Sequence, residues 1–265
     1  MGKNVIFWIS VRSIDPLLRK KHGNFNYLDI SKRTWEYWCK KNDVIFYEYT
    51  TPTHDNTGEN KVTWQRWFDV FKQLDASGID YNKVALVDGS SMIRWNTPNF
   101  FDLVKDKPVA FRSLENVKWI YEGVQGYKSL FDGFDFDLTK YNSCGFQIFD
   151  KSHRPFLDIL ETFYYSNYHK ILELQGSVKR GTDQPVYNYL SQIHNIEFDE
   201  ISPAFMLTHL NRFDWFSHNW QLKTDMTPFF IKYGYIWFFS GFDRTQRQPL
   251  MEQTWNMIKH EYNYG

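Results

Sequence analysis

Cysteine is scarce in this 265-residue chain, with Cys39 and Cys144 its only two. They stand far apart and fit no metal-ligand spacing, which argues against a disulfide scaffold and suits a reducing compartment. An excess of one charge is also missing, because 31 basic and 31 acidic residues cancel. A nonspecific nucleic-acid binder needs a basic surface to neutralise phosphates, and a polybasic membrane anchor needs a cationic cluster. Long hydrophobic runs are lacking too. The opening segment "MGKNVIFWISVRS" has one short apolar stretch before Arg12, too short for a secretory signal or a membrane span. Its sixth position is not Ser or Thr, so it does not fit a myristoylation signal. No repeat, low-complexity linker or clean boundary interrupts the chain. These absences predict a soluble, cytoplasmic protein folded as a single domain over residues 1–265, with no nucleic-acid partner.

Aromatic residues are plentiful at 20%. Burial is the default for large rings, so most belong to the core; the remainder can serve as platforms for a base or a sugar. The stretch "HLNRFDWFSHNW" (209–220) reads as partly core, with His209 and His218 as ordinary polar residues, and an acceptor platform is the alternative.

The order of elements predicts an α/β fold with a mostly parallel central sheet flanked by helices. "NVIFWIS" (4–10) reads as a buried strand, "SKRTWEYWCKKND" (31–43) as a helix capped by Ser31, and "VIFYEY" (44–49) as the next strand. "VTWQRWFDVFKQLDASG" (62–78) places Trp64, Trp67, Phe68, Phe71 and Leu74 on one helical face and stops at Gly78. "KVALVDGSSMI" (83–93) is a strand ending in a carboxylate and two hydroxyls. "PVAFRS" (108–113), "YNSCGFQIFD" (141–150) and "YIWFFSGFDR" (235–244) read as further strands. "HRPFLDILETFYYS" (153–166), "GTDQPVYNYLSQI" (181–193) and "QPLMEQTWNMIKHEY" (248–262) read as helices. Asp183 is the expected cap of the second of these.

Open α/β sheets bind ligands beyond the carboxyl ends of their strands. The polar residues there are Ser10 with Arg12, Asp88 with Ser90, Arg112, and the turn from Ser240 to Arg244. Arginines offer a fixed fork of donors to phosphate oxygens, and a carboxylate suits a ribose hydroxyl or a metal. Asp88-Gly89 is equally a common turn pair, and both readings stand at this stage.

The motifs taken together resemble the GT-A-fold glycosyltransferases, especially the family-eight type that includes glycogenin and bacterial galactosyltransferases. "KVALVDGS" is similar to the strand that carries the family's Asp-x-Asp. "YNSCGFQIF" resembles its Asn-Ser-Gly segment with Cys144 inserted, "GTDQPVYN" its Gly-Asp-Gln segment, and "FFSGFDR" its His-Phe-x-Gly-x-x-Lys segment. The resemblance implies transfer of a sugar from a nucleotide-diphosphate donor, of the UDP type, to a hydroxyl of a glycan or other acceptor. It places the base near Ser10 and Arg12, Asp88 at the ribose or a metal, Ser90 beside it, Arg112 at the donor sugar or phosphates, and Asn142 under the donor sugar. Asp183 and Gln184 would lie at the anomeric carbon, Asp183 being the candidate base if the reaction inverts. Gly241 and Arg244 would face the diphosphate.

Two departures bear on the cofactor. Ser90 stands where the second Asp would be, and Phe238 where the metal-binding His would be. Of the Mn2+ or Mg2+ ligands implied, Asp88 alone remains, so metal dependence is expected to be weakened or absent. A rival Asp-x-Asp, Asp135 and Asp137 in "FDGFDFDLTK", with Asp132 near it, reads as a loop or edge strand rather than a buried strand end. His209 is a further potential ligand with no spacing to demand it. A degenerate nucleotide-sugar or glycan binder and a nucleotidyltransferase are the alternatives. The latter usually shows a Gly-rich phosphate loop after the first strand, and "SVRSIDPLLRKKHG" has none.

Overall fold

A computed structural model describes residues 2–11, 26–54, 61–113, 117–202, 205, 230–231, 234–242 and 244–262. Arg12, His209 and the rest of the 209–220 segment lie outside the described residues. In chain order the elements are β1 (Lys3–Ile9), α1 (Tyr27–Lys41), β2 (Ile45–Tyr49), α2 (Val62–Ala76), β3 (Tyr81–Asp88), β4 (Ser91–Ile93), β5 (Val109–Arg112) and α3 (Val117–Tyr127). They continue with β6 (Asn142–Asp150), α4 (Arg154–Ser166), α5 (Tyr168–Val178), α6 (Gln184–Ile193), β7 (Asp199–Glu200), β8 (Ile236–Phe238) and α7 (Arg244–Ile258).

Continuous apolar runs form the sheet because strands covered on both faces need apolar side chains at every position. The six-stranded sheet runs β2-β1-β3-β6-β5-β7. β1 and β2 are parallel, with Val5 opposite Ile45 and Ile9 opposite Tyr49. This is the strand-helix-strand unit expected from the spacing. β5 lies parallel to β7 and antiparallel to β6, with a register shift between Ala110 and Arg112. The fold is mixed α/β, as the element order predicts.

The described chain falls into two compact units. The first comprises Met1–Asn4, Thr51–Leu86 and Val104–Glu200. Its core is aromatic. Trp64 packs on Tyr164 with centroids 4.6 Å apart, Trp67 stacks on Tyr187 at 4.7 Å, and Phe131 stacks on Tyr189 at 4.1 Å. Each ring buried this way contributes about 1.5–3 kcal/mol relative to exposure.

The second unit comprises Val5–Thr50, Val87–Leu103 and Ile201–Gly265. Buried indoles usually take a partner for their N–H, and three described ones in this unit do. Trp8 donates to Ser31 Oγ at 3.0 Å, Trp35 to Ser91 Oγ at 3.1 Å and Trp38 to the Thr97 carbonyl at 2.8 Å. Trp38 also stacks on Phe100, with centroids 4.7 Å apart. Met92, Trp237, Phe239, Met251, Ile258 and Tyr262 form a cluster in which α7 packs on α1.

Three expectations need correction. Ser31 does not cap α1: the helix starts at Tyr27, and Ser31 is buried one turn inside as the acceptor for Trp8. Asp183 occupies the cap position of α6, but its side chain makes no capping bond. The run "KVALVDGSSMI" divides at Gly89 and Ser90 into β3 and β4. β4 leaves the main sheet and pairs antiparallel with β8 in a separate ribbon, with Ser91 opposite Phe238.

Candidate functional site

In the second unit the turn after β3 presents Asp88. Its Oδ1 accepts from the backbone N and from Oγ of Ser90, both at 2.9 Å. Such a local carboxylate-to-backbone bond is what makes Asp a turn former. The turn reading and the ligand reading are therefore compatible, since Oδ2 keeps no partner among the described residues. Gly89 is needed here for space. A Cβ at that position would stand 2.3 Å from the Ile9 carbonyl oxygen and 2.7 Å from Leu28 Cδ2. The obstruction is backbone and cannot swing aside. Gly89→Ala is expected to cost about 1–3 kcal/mol by overpacking. A chemical denaturation midpoint equal to wild type would contradict this.

The end of β1 lies against that turn. Ser10 is buried and its Oγ donates to Glu48 Oε1 at 2.8 Å. The other Glu48 oxygen accepts from Lys32, and this bond holds the Lys32 ammonium above its usual range. Beyond the ribbon, the Phe239 N–H donates to the Ser90 carbonyl at 2.8 Å, so the "DGSS" and "FFSG" segments meet. Gly241 follows with φ +81. Arg244 is the first residue of α7, and its side chain lies outside the described residues. Arg247 is tied in place: its Nε donates to the Phe239 carbonyl at 3.1 Å and its Nη1 to Tyr27 Oη at 3.3 Å.

In the first unit the central feature is a buried ion pair. Asp183 Oδ2 accepts from Arg66 Nη2 at 2.8 Å and from Trp67 Nε1 at 2.7 Å. Asp183 is 4% exposed and Arg66 5%. A buried carboxylate needs such donors, because desolvation without them is prohibitive. Gln184 is half-buried, and its Oε1 accepts from the Cys144 N–H at 3.4 Å. Cys144 lies beside this pair. Burial, and then the charge of Asp183, push its thiol well above the usual range, so it is an inert core residue rather than a nucleophile.

Asn142, the first residue of β6, is held by Asn188 of α6. The Asn142 N–H donates to Asn188 Oδ1 at 2.6 Å, and Asn188 Nδ2 donates back to the Asn142 carbonyl at 2.9 Å. Arg112, at the end of β5, donates from Nε to Glu200 at 2.7 Å and from Nη1 to Asn142 Oδ1 at 2.9 Å. Asp135 and Asp137 sit in a surface loop. Asp137 accepts from the N and Oγ1 of Thr139 at 2.9 and 2.6 Å, which lowers its pKa.

The described residues do not fit the metal that the resemblance implies. Ser90 spends its hydroxyl on Asp88, and Phe238 is a buried phenyl ring. Hard divalent cations seek several oxygen ligands, and no cluster of three or more His, Cys, Asp or Glu suited to a metal occurs among the described residues.

Four residues that the motifs did not single out carry this architecture: Arg66, Asn188, Glu48 and Glu200. For Arg66 a signal was present in the sequence. Gln65, Arg66 and Asp69 are polar residues set among the aromatics of α2, and all three are buried. Polar groups in that position must have a polar purpose.

No protein-family model matches the chain, and no curated protein matches it in sequence. Solved structures do match in shape. A glycosyltransferase involved in glycosylation of the major capsid of PBCV-1 superposes with a TM-score of 0.55 at 11% identity, covering 95% of this chain and 99% of its own. The galactosyltransferase LgtC, solved with donor and acceptor sugar analogues, gives a TM-score of 0.50 at 12% identity, covering 96% and 99%. The chain thus carries the GT-A-type glycosyltransferase fold.

Proposed function

We propose that this chain is a glycosyltransferase that moves a sugar from a nucleotide-diphosphate donor, of the uridine type, to an acceptor hydroxyl. The observation that carries the reading is a glycosyltransferase fold over 95% of the chain, with Asp88, Arg112 and Asn142 standing at strand ends where open α/β sheets bind ligands. In the reaction the bond from the anomeric carbon to the phosphate oxygen breaks and one to the acceptor oxygen forms. The acceptor hydroxyl loses its proton, and the nucleoside diphosphate leaves.

The proposal gives each site residue a role. Asp88 orients the ribose through Oδ2, while Oδ1 keeps the turn rigid. Ser10 and Arg12 contact the base. Asn142 underlies the donor sugar with Arg112 fixed beside it. Gly241 and Arg244 meet the diphosphate, where preorganised positive charge stabilises a leaving anion. Gln184 lies at the anomeric carbon. Asp183, whose Oδ2 accepts from Arg66 and Trp67, holds the site in position and is the base through its other oxygen if the reaction inverts.

The proposal extends to cofactor dependence. With Ser90 and Phe238 at two ligand positions, turnover is expected to fall less than about tenfold in chelator, because one carboxylate is a weak hard-cation site. Complete loss in chelator, restored by Mn2+, would show that further ligands complete the site. The same two replacements favour a second reading, a nucleotide-sugar binder without turnover. A donor panel decides between them. Ligand that binds the native state raises Tm by mass action, and an enzyme also releases the nucleoside diphosphate, whereas a binder does not.

A further inference from the structure

Two of the segments proposed for the donor, the Asp88 turn and Gly241, are carried by one ribbon in the second unit. The turn runs directly into β4, and Gly241 follows shortly after β8. A two-stranded ribbon is marginally stable alone and depends on what holds it. Here Ser91 pairs with Phe238, Met92 with Trp237 and Ile93 with Ile236. The pairing is closed at both ends. The Phe239 N–H donates to the Ser90 carbonyl at 2.8 Å, and the Arg94 N–H donates to the Tyr235 carbonyl at 2.7 Å. The donor segments stand at the first of these ends. Arg94 stands at the other, about 13 Å along the strand from Ser90.

That far end is fastened by residues that follow α7, in and just after a single helical turn over Lys259–Glu261. Arg94 donates to Glu261 as a fork, from Nε to Oε2 at 2.8 Å and from Nη2 to Oε1 at 2.5 Å. Its Nη1 donates to the Ile231 carbonyl at 2.7 Å. Tyr262 Oη donates to the Ile93 carbonyl, and its ring packs on Tyr37 and Trp255 at centroid distances of 5.2 and 5.3 Å. An exposed ion pair holds little. This one is bidentate, with each side chain only 16% exposed, so it fixes geometry as well as contributing energy. Packing of α7 on α1 would anchor the helix by itself. The polar bonds do something more specific: they converge on Ile93 and Arg94, two consecutive residues at one end of the ribbon.

We propose that Glu261 and Tyr262 are positioning residues for the donor site. By fixing the Ile93–Arg94 end of the ribbon they stiffen it, and so hold the Asp88 turn and Gly241 in register at its other end. That a donor feels this rests on the transferase reading above; that the ribbon is stiffened does not.

The test uses the full chain carrying Glu261→Gln or Tyr262→Phe, the second of which keeps the ring and removes only its hydroxyl. Amide hydrogen exchange without nucleotide reads local opening. Each variant should speed exchange at Ser90 and Phe239 about tenfold, the size of one lost hydrogen bond, and leave β1 unchanged. Unchanged exchange at Ser90 and Phe239 overturns the proposal, as does equal acceleration in β1, which would mean a general loss of stability. Hydrolysis of a nucleotide sugar by the same variants reads the donor site. KM for the donor should rise about tenfold with kcat within about twofold, whereas a merely structural loss lowers the folded fraction and with it kcat. Lys72→Ala, which breaks the pair with Glu161 in the first unit, should change neither reading. Faster ribbon exchange with an unchanged KM overturns the link to the donor. A wild type that hydrolyses no donor fails the transferase reading and that link together, while the exchange result still decides the clasp.

Discussion

Asp183→Ala is expected to destabilise the protein by about 3–5 kcal/mol, the usual cost of orphaning a buried charge. Arg66, 5% exposed, would keep its guanidinium in the interior with the carboxylate that holds it removed. The Trp67 N–H would lose the same acceptor. Urea denaturation measures this as a lower midpoint with an unchanged slope. Replacing both ends with apolar residues, Arg66→Met with Asp183→Leu, should recover much of the loss, since a buried pair is worth little net against good packing. The double variant separates stability from function. If the pair positions Gln184 and the donor sugar, turnover stays low in a protein whose stability has returned. A single variant as stable as wild type would mean that the pair is not buried as described.

Asp88→Asn is expected to lower donor turnover by about 100-fold, comparable to removing one preorganised polar group from an active site. The asparagine oxygen can still accept from Ser90, so the turn persists and the fold is retained. What disappears is the negative charge at Oδ2. The loss should appear in kcat/KM for the donor. Near wild-type kcat/KM with a folded protein would move the ribose contact elsewhere, and Glu48, beside Ser10 in the same unit, is the next carboxylate to change.

Much of this was legible in the sequence, for identifiable reasons. β1, β3 and β6 are continuous apolar runs, which a strand covered on both faces requires. Ser10, Asp88 and Arg112 stand at the ends of β1, β3 and β5, and the sequence reading singled them out because strand ends are where α/β sheets present ligands. Arg66 was legible only in part: its place among the aromatics of α2 signals a polar purpose, but its partner is 117 positions away and nothing local names it. The Asn142–Asn188 clasp was hidden for the same reason: its bonds join residues 46 positions apart. α3 went unread because "VKWIYEGVQGY" contains two glycines, which disfavour a helix. Packing overrides that preference. A Cβ at Gly126 would lie 2.4 Å from Val178 Cγ1, so the glycine is what lets α5 approach α3. Ser31 misled because the same residue type that caps helices also accepts from buried indoles.

The most direct test of the central claim is release of nucleoside diphosphate from a panel of nucleotide sugars, run with Mn2+, with Mg2+ and with chelator. The account predicts slow release from one donor, of the uridine type, accompanied by a raised Tm with that donor, and activity that persists in chelator. No release and no thermal shift with any donor would contradict it.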